Sequence, residues 1–113
     1  MSHQQKNDKG VEDSRIYRFR EFVEYADGGI VSKQILKKKN GNITLFAFDA
    51  GEGLSEHTSP FDALIQVIEG EARITIGKKD FNLGSGESII MPADISHAVL
   101  ALQRFKMILT MIR

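Results

Sequence analysis

Cysteine is absent from this chain of 113 residues, which excludes disulfides, zinc–thiolate sites and thiol nucleophiles. A net charge is also absent, because fifteen basic residues balance fifteen acidic ones. No overall field therefore favours binding to nucleic acid or to an anionic membrane. No apolar run approaches the ~20 residues that a membrane helix needs. Residues 1–10 lack the apolar core of a signal peptide, so we expect a cytoplasmic protein.

The length allows one domain with one hydrophobic core. Residues 1–14 are polar and offer almost nothing to bury, so we predict a flexible N-terminal tail that includes His3. Residues 15–113 show no linker, no change of composition and no internal repeat. We expect these residues to form a single domain.

The residues that open this domain differ from the rest in their periodicity. Apolar residues between Ile16 and Tyr25 recur at near-helical spacing, which predicts a short helix or an irregular packed segment. Asp27-Gly28-Gly29 then breaks the chain.

Short β-strands are predicted from there to the C-terminus, separated by turn signals such as Asn40-Gly41. Strands at this regular spacing favour a sandwich or a closed barrel. The strand at 42–49 has two fairly apolar faces, which indicates packing on both sides. The predicted strands span 30–36, 42–49, 63–69, 72–76, 81–83, 88–91, 97–102 and 105–112.

Two histidines, His57 and His97, are the candidates for chemistry in the predicted domain. His57 follows a Gly-rich turn from which a strand emerges, and His97 follows a Pro-containing turn that leads into a new strand. Neutral imidazole is the commonest metal ligand and the usual acid–base group near neutral pH. Spacing alone does not decide whether the two side chains meet.

Two motifs in this order resemble those of small single-domain cupins of the RmlC-like superfamily. The first runs Gly51-x5-His57-x-Ser59-x3-Ala63-x6-Gly70, and the second runs Gly86-x5-Pro92-x-Asp94-x2-His97-x3-Ala101. The resemblance implies an all-β fold, an antiparallel double-stranded β-helix (a jelly-roll cupin barrel), preceded here by the short N-terminal segment. It also implies that His57 and His97 point into the barrel, where the corresponding histidines of metal-binding cupins join a second histidine and a glutamate to hold iron, manganese, nickel, zinc or copper.

The ligand set that the resemblance implies is reduced in this chain. Ser59 stands where the pattern has a second histidine, and Ala63 stands where it has a glutamate. Two imidazoles alone leave a metal weakly held, because catalytic zinc sites have three protein ligands. Asp62 would supply a third ligand if the loop bulges, and such a bulge would also turn Gln66 toward the pocket.

These observations leave three functions open. The first is a barrel that binds a small molecule in an apolar pocket, with weak or absent metal binding and with Ser59, Gln66 and Met107 as contacts beside His57 and His97. Methionines on strands usually fill a core, and here Met91, Met107 and Met111 would form the apolar wall with Phe46, Phe48, Ile65 and Phe105. The second is a metal-dependent enzyme, an oxygenase or an isomerase, with a non-standard third ligand. The third is a metal-free enzyme with a histidine as general base. We expect no nucleic acid or membrane partner, and we expect a homodimer.

Overall fold

The computed structural model describes residues 11–113. Residues 1–10 of the predicted tail, including His3, lie outside the described residues. Residues 11–14 belong to no helix or strand. None of the helical residues between 11 and 113 forms a segment with the length and hydrophobicity of a membrane span.

One helix and nine strands make up the described part of the chain. They are α1 (Phe19–Phe22), β1 (Ile30–Lys38), β2 (Gly41–Phe48), β3 (Gly53–His57), β4 (Asp62–Glu69), β5 (Glu71–Ile76), β6 (Lys79–Gly84), β7 (Ser88–Met91), β8 (His97–Ala101) and β9 (Phe105–Ile112). The mostly-β architecture with a short N-terminal helix confirms the predicted fold class.

Two antiparallel sheets form the barrel. Sheet A has five strands in the order β1-β2-β9-β4-β7, and sheet B has four in the order β3-β8-β5-β6. Strands that follow one another in sequence often lie in different sheets, because the chain crosses repeatedly between the layers. The inner faces share one hydrophobic core, to which Ile65 of sheet A and Ile74 of sheet B contribute fully buried side chains.

The predicted strand spans omit β3, although a strand was expected to emerge from the Gly-rich turn before His57, and β3 ends at His57. Leu54 is its one large apolar residue, and most of its residues are exposed, so it lacks a clear apolar alternation. A register irregularity between Leu54 and His57 also interrupts its pairing with β8. Neighbouring strands rather than its own sequence pattern therefore define β3.

Strand β2 packs on both faces, as its sequence predicts. Phe48 lies in the core between the sheets, where its ring stacks on Phe105 with the centroids 4.6 Å apart. Leu45 and Ala47 face the outside of sheet A and are nevertheless fully buried. The N-terminal segment covers them, with Val23 at the centre of this second cluster.

The N-terminal segment combines both structures that its spacing allowed. Only Phe19–Phe22 is helical, and the backbone is extended at Arg18 and Val23 on either side. Ile16 does not pack with it, since 98% of its surface is exposed. One buried lysine fixes the segment to the barrel, because Lys106 Nζ donates a hydrogen bond of 2.6 Å to the carbonyl of Arg20.

Candidate functional site

His57 and His97 meet at the end of sheet B. They are directly opposite each other in the antiparallel pairing of β3 with β8. Their rings lie edge to face, with centroids 4.4 Å apart and planes at 72°. His97 is buried at 4% exposure, whereas His57 is exposed at the mouth. The convergence that the resemblance implied is therefore present, and it would allow one ligand to touch both rings.

The turn that precedes His97 contains a residue in the left-handed backbone conformation. Asp94 has a φ of +66°, in the region where glycine is favoured. Its backbone N–H donates a 2.8 Å hydrogen bond to the carbonyl of Ser59, which ties the two loops at the pocket mouth together. Aspartate tolerates this conformation better than most residues, so the turn keeps its shape without glycine.

Both imidazoles are oriented by the same local hydrogen bond. Nδ1 of His57 lies 2.7 Å from the carbonyl of Ser55, and Nδ1 of His97 lies 3.1 Å from the carbonyl of Ile95. A carbonyl only accepts, so each Nδ1 carries a proton, and the neutral form of each ring keeps a free lone pair on Nε2. Burial lowers the pKa of His97 and favours its neutral form. The hydrogen bond to the Ile95 carbonyl opposes this shift, and the neighbouring His57 adds to it.

The two rings border a cavity of about 40 Å³ between the sheets. Apart from the imidazoles, its walls are entirely apolar. Sheet B supplies Leu54, His57, His97 and Val99, and sheet A supplies Ala63, Ile65, Met91, Met107, Leu109 and Met111.

The bulge in β3 explains one part of this lining. Residues three apart on a regular strand face opposite sides of a sheet. The irregularity between Leu54 and His57 adds a residue to that count, so both side chains face the pocket. Glu56 consequently points outward, where its carboxylate accepts a hydrogen bond from the Ser96 hydroxyl.

Residues 44–112 match the cupin domain family. This chain belongs to the cupin family. A curated protein of Streptomyces coelicolor, described as uncharacterized, is 31% identical over 64 residues, which are 57% of this chain and 61% of that protein. A conserved protein of unknown function from Streptococcus pyogenes superposes with a TM-score of 0.87 at 29% identity, covering 91% of this cupin and 90% of that chain. A cupin 2 conserved barrel domain protein from Leptotrichia buccalis superposes with a TM-score of 0.79 at 41% identity, covering 83% of this cupin and 46% of that chain.

Three of the polar residues considered for the pocket lie elsewhere in this cupin. Gln66 is exposed because β4 alternates regularly, and Ala63 and Ile65 take the inward positions. Its predicted place in the pocket is therefore wrong. Ser59 also lies outside the lining, and its hydroxyl instead accepts a 3.1 Å hydrogen bond from the backbone of Phe61. Asp62 is exposed and accepts a 2.9 Å hydrogen bond from the Ala93 backbone N–H.

Met107 is the sequence-predicted contact that does line the pocket, together with the two histidines. Met91, Met111 and Ile65, which were also expected in the apolar wall, line the pocket too. Phe46, Phe48 and Phe105 were expected there as well, but they pack in the core outside the pocket lining. Leu109 was not predicted, although alternation along β9 from Met107 would have found it.

The residues present do not fit a divalent metal of the usual cupin kind. Among residues 11–113, no group of three or more histidine, cysteine, aspartate or glutamate side chains could hold an ion. Ala63 faces the pocket but offers no donor atom, and the Ser59 hydroxyl is already engaged. Two imidazoles remain, one fewer than the protein ligands of a catalytic zinc site.

Proposed function

We propose that this cupin binds a small organic molecule in the pocket between its sheets, and that it binds divalent transition metals weakly or not at all. The observation that carries the proposal is the pair of Nε2 acceptors at the edge of an otherwise apolar cavity. Small-molecule sites commonly combine apolar walls with a few placed polar groups. A ligand with one N–H or O–H donor and an apolar body suits this combination.

The size of the cavity limits that ligand. A volume of about 40 Å³ holds only a small group, so a larger molecule would project through the mouth past His57. The ring of His97 is the deeper contact, because it is 4% exposed.

A pair of probes that differ in one donor tests the proposal. Phenol offers an aromatic body with an O–H, whereas anisole has a similar body without it. With EDTA present to remove metals, we expect phenol to bind more tightly by calorimetry and to shift the imidazole NMR signals. His57→Ala should abolish the preference, and Gln66→Ala, outside the pocket, should preserve it. Equal binding of the two probes to the parent protein would contradict the proposal.

The alternative of a metal-dependent enzyme requires a third metal ligand beside the two histidines, and neither of the two candidates for that ligand lies in the pocket. Asp62 holds the Ala93 backbone and Gln66 faces away from the pocket. No observation on the described residues favours that alternative over ligand binding.

We further propose that a second copy of the chain covers the outer face of sheet A. One row of directly opposite residues crosses all five strands in the order Leu36, Ile43, Thr110, Leu64 and Ile90. Its two ends are the most exposed, with Leu36 at 53% and Ile90 at 64%. The N-terminal segment of the same chain covers only the neighbouring rows, at Leu45 and Ala47.

A second copy has the chemistry to cover this row. It presents the same apolar row and an apolar side chain, Ile16, that is 98% exposed beside α1. Burial of such surface stabilises association by roughly 25 cal/mol per Å² before the costs of binding are counted. Sedimentation velocity should give the mass of a dimer, and Ile90→Lys should give that of one chain. Leu100→Lys, a matched change on sheet B, should remain dimeric, and a monomeric parent protein would refute the proposal.

A further inference from the structure

All three methionines of residues 11–113 line the pocket. Met91, Met107 and Met111 come from two strands of sheet A, and they face the two imidazoles of sheet B. Methionine ordinarily fills irregular gaps anywhere in a core. Among the described residues, no methionine lies outside the lining of this cavity, so the thioethers are concentrated beside the free imidazole nitrogens.

The register of sheet A places two of these methionines around a gap. Ala63 is directly opposite Met91 on one side and Met111 on the other. Directly opposite residues have Cβ atoms about 4.5–5.5 Å apart and point to the same face. Because the side chain of Ala63 ends at Cβ, the two flexible thioethers border an open space in the wall.

The other possible metal ligands in this wall are the Nε2 atoms of the two imidazoles. The Nδ1 atoms are occupied by backbone carbonyls, and within the described chain no hydrogen bond is made to either Nε2. His97 is buried, yet no buried nitrogen of the described residues lacks a partner, so its Nε2 is reached from the cavity. The pocket therefore presents imidazole nitrogen and thioether sulfur, and no carboxylate lines it.

Thioether donors select Cu(I), and imidazole suits copper as well. Hard ions such as Mg²⁺ and Mn²⁺ prefer oxygen ligands, which this lining does not offer. The charge of the ion also favours Cu(I). The idealised Born free energy of moving an ion from water into an apolar cavity scales with the square of its charge, so it is about four times smaller for a monovalent than for a divalent ion. We propose that this pocket binds Cu(I), with both imidazoles and one or more of the three thioethers as ligands.

This inference goes beyond the binding of an organic molecule and does not depend on it, since it concerns donor atoms alone. Occupation of both Nε2 atoms by Cu(I) should nevertheless exclude phenol from the same rings. Phenol binding in the presence of EDTA and Cu(I) binding in its absence are separate measurements. Failure of one is therefore distinguishable from failure of the other.

The test is an anaerobic titration of Cu(I) against a chromogenic Cu(I) chelator. All proteins carry His3→Ala, so that the third imidazole of the chain contributes nothing. We expect one Cu(I) per chain, and sulfur as well as nitrogen neighbours of copper in X-ray absorption spectra. His57→Ala should weaken binding by more than about tenfold, since even outer-shell changes cost 10–100-fold.

Methionine variants supply the decisive comparison. Met→Leu conserves volume, so the fold should be kept while the sulfur is lost. Replacing Met91, Met107 and Met111 together should weaken Cu(I) binding by more than about tenfold, the smallest loss usual for groups that only support metal ligands. Leu83→Met adds a buried thioether outside the pocket and should change nothing. If the triple variant does not fold, the sulfur signal in the parent and the three single variants decides.

Three outcomes would overturn the inference. The first is no Cu(I) binding to the parent protein. The second is undiminished binding in the folded triple variant, or a copper spectrum without sulfur neighbours. The third is displacement of Cu(I) by an equal concentration of Zn²⁺, because a pocket of soft donors should prefer the monovalent ion.

Discussion

Ala63→Glu should turn the pocket into a divalent metal site at the expense of the stability of the metal-free protein. Ala63 is 3% exposed, and its neighbours across the sheet are Met91 and Met111, so the new carboxyl would enter an apolar wall. A buried carboxylate is disfavoured, and the group takes up a proton instead. Protonation limits the electrostatic cost at pH 7 to about 3.7 kcal/mol, because 1.36 kcal/mol applies to each unit between an ordinary pKa of 4.3 and the solution pH.

A cost of that size lowers the melting temperature of a domain of about 100 residues by roughly 15–30 °C. The loss should be smaller below pH 4, where the carboxyl is protonated in the folded and unfolded states alike. Addition of Zn²⁺ at about a hundred times its dissociation constant should return about 2.7 kcal/mol of stability. Differential scanning calorimetry at pH 7, with and without Zn²⁺, measures both changes.

A matched control separates ligation from the charge itself. Gln66→Glu adds the same carboxylate to the same strand, but on the exposed face. Because Gln66 lies on the outer face of sheet A, where we place a second copy of the chain, this variant is compared with itself, and its melting temperature should not change when Zn²⁺ is added. Combining Ala63→Glu with His57→Ala should remove the zinc response. An equal zinc response in Gln66→Glu, or none in Ala63→Glu, would refute the idea that a missing third ligand keeps divalent metals out.

Three further variants probe groups that hold the barrel together. Tyr25→Phe removes a 2.5 Å hydrogen bond to Glu69 and should cost about 1 kcal/mol in urea unfolding. Burial and Glu69 raise the pKa of Tyr25, so the parent should lose stability above pH 10 more steeply than the variant. The hydrogen bond from Arg104 helps lower the pKa of Asp49 to about 2, so the stability that ionised Asp49 contributes is present above pH ~4 and lost toward pH 2. Arg104→Leu should therefore make the free energy of unfolding fall less steeply between about pH 4 and pH 2. Asp94→Gly should raise the free energy of unfolding by up to about 1 kcal/mol, because the left-handed backbone favours glycine; a lower free energy of unfolding would contradict this.

The fold could be predicted because its signals are local. Turn residues such as Asn40-Gly41 and alternating apolar residues define eight of the nine strands. The motif resemblance then brings His57 and His97 together, although spacing alone leaves their meeting open. Strand β3 escapes prediction because its pairing is irregular and it has one large apolar residue, so its structure depends on β8.

The composition of the pocket could be predicted less well than its location. The place of Gln66 depended on whether β4 contains a bulge at its start, and the regular register at Ala63 shows none there. The irregularities lie instead between Gln34 and Leu36 in β1, between Leu54 and His57 in β3 and beyond Val67 in β4. A one-residue irregularity changes which face every later residue takes, and nothing in composition or periodicity fixes where it falls.

The way the histidines are held explains how a cupin barrel can keep two imidazoles after losing other ligand positions. Each Nδ1 donates to the carbonyl two residues before it, so the ring orientation is set within its own strand or turn. A ligand that depended on Ser59 or Ala63 for its orientation would have lost it with those substitutions. The core between the sheets is likewise complete without an ion, since no buried side-chain nitrogen or oxygen of the described residues lacks a partner. Changes at the pocket wall can therefore alter what the pocket binds, from hard ions toward soft or organic ligands, while the histidine pair and the barrel stay in place.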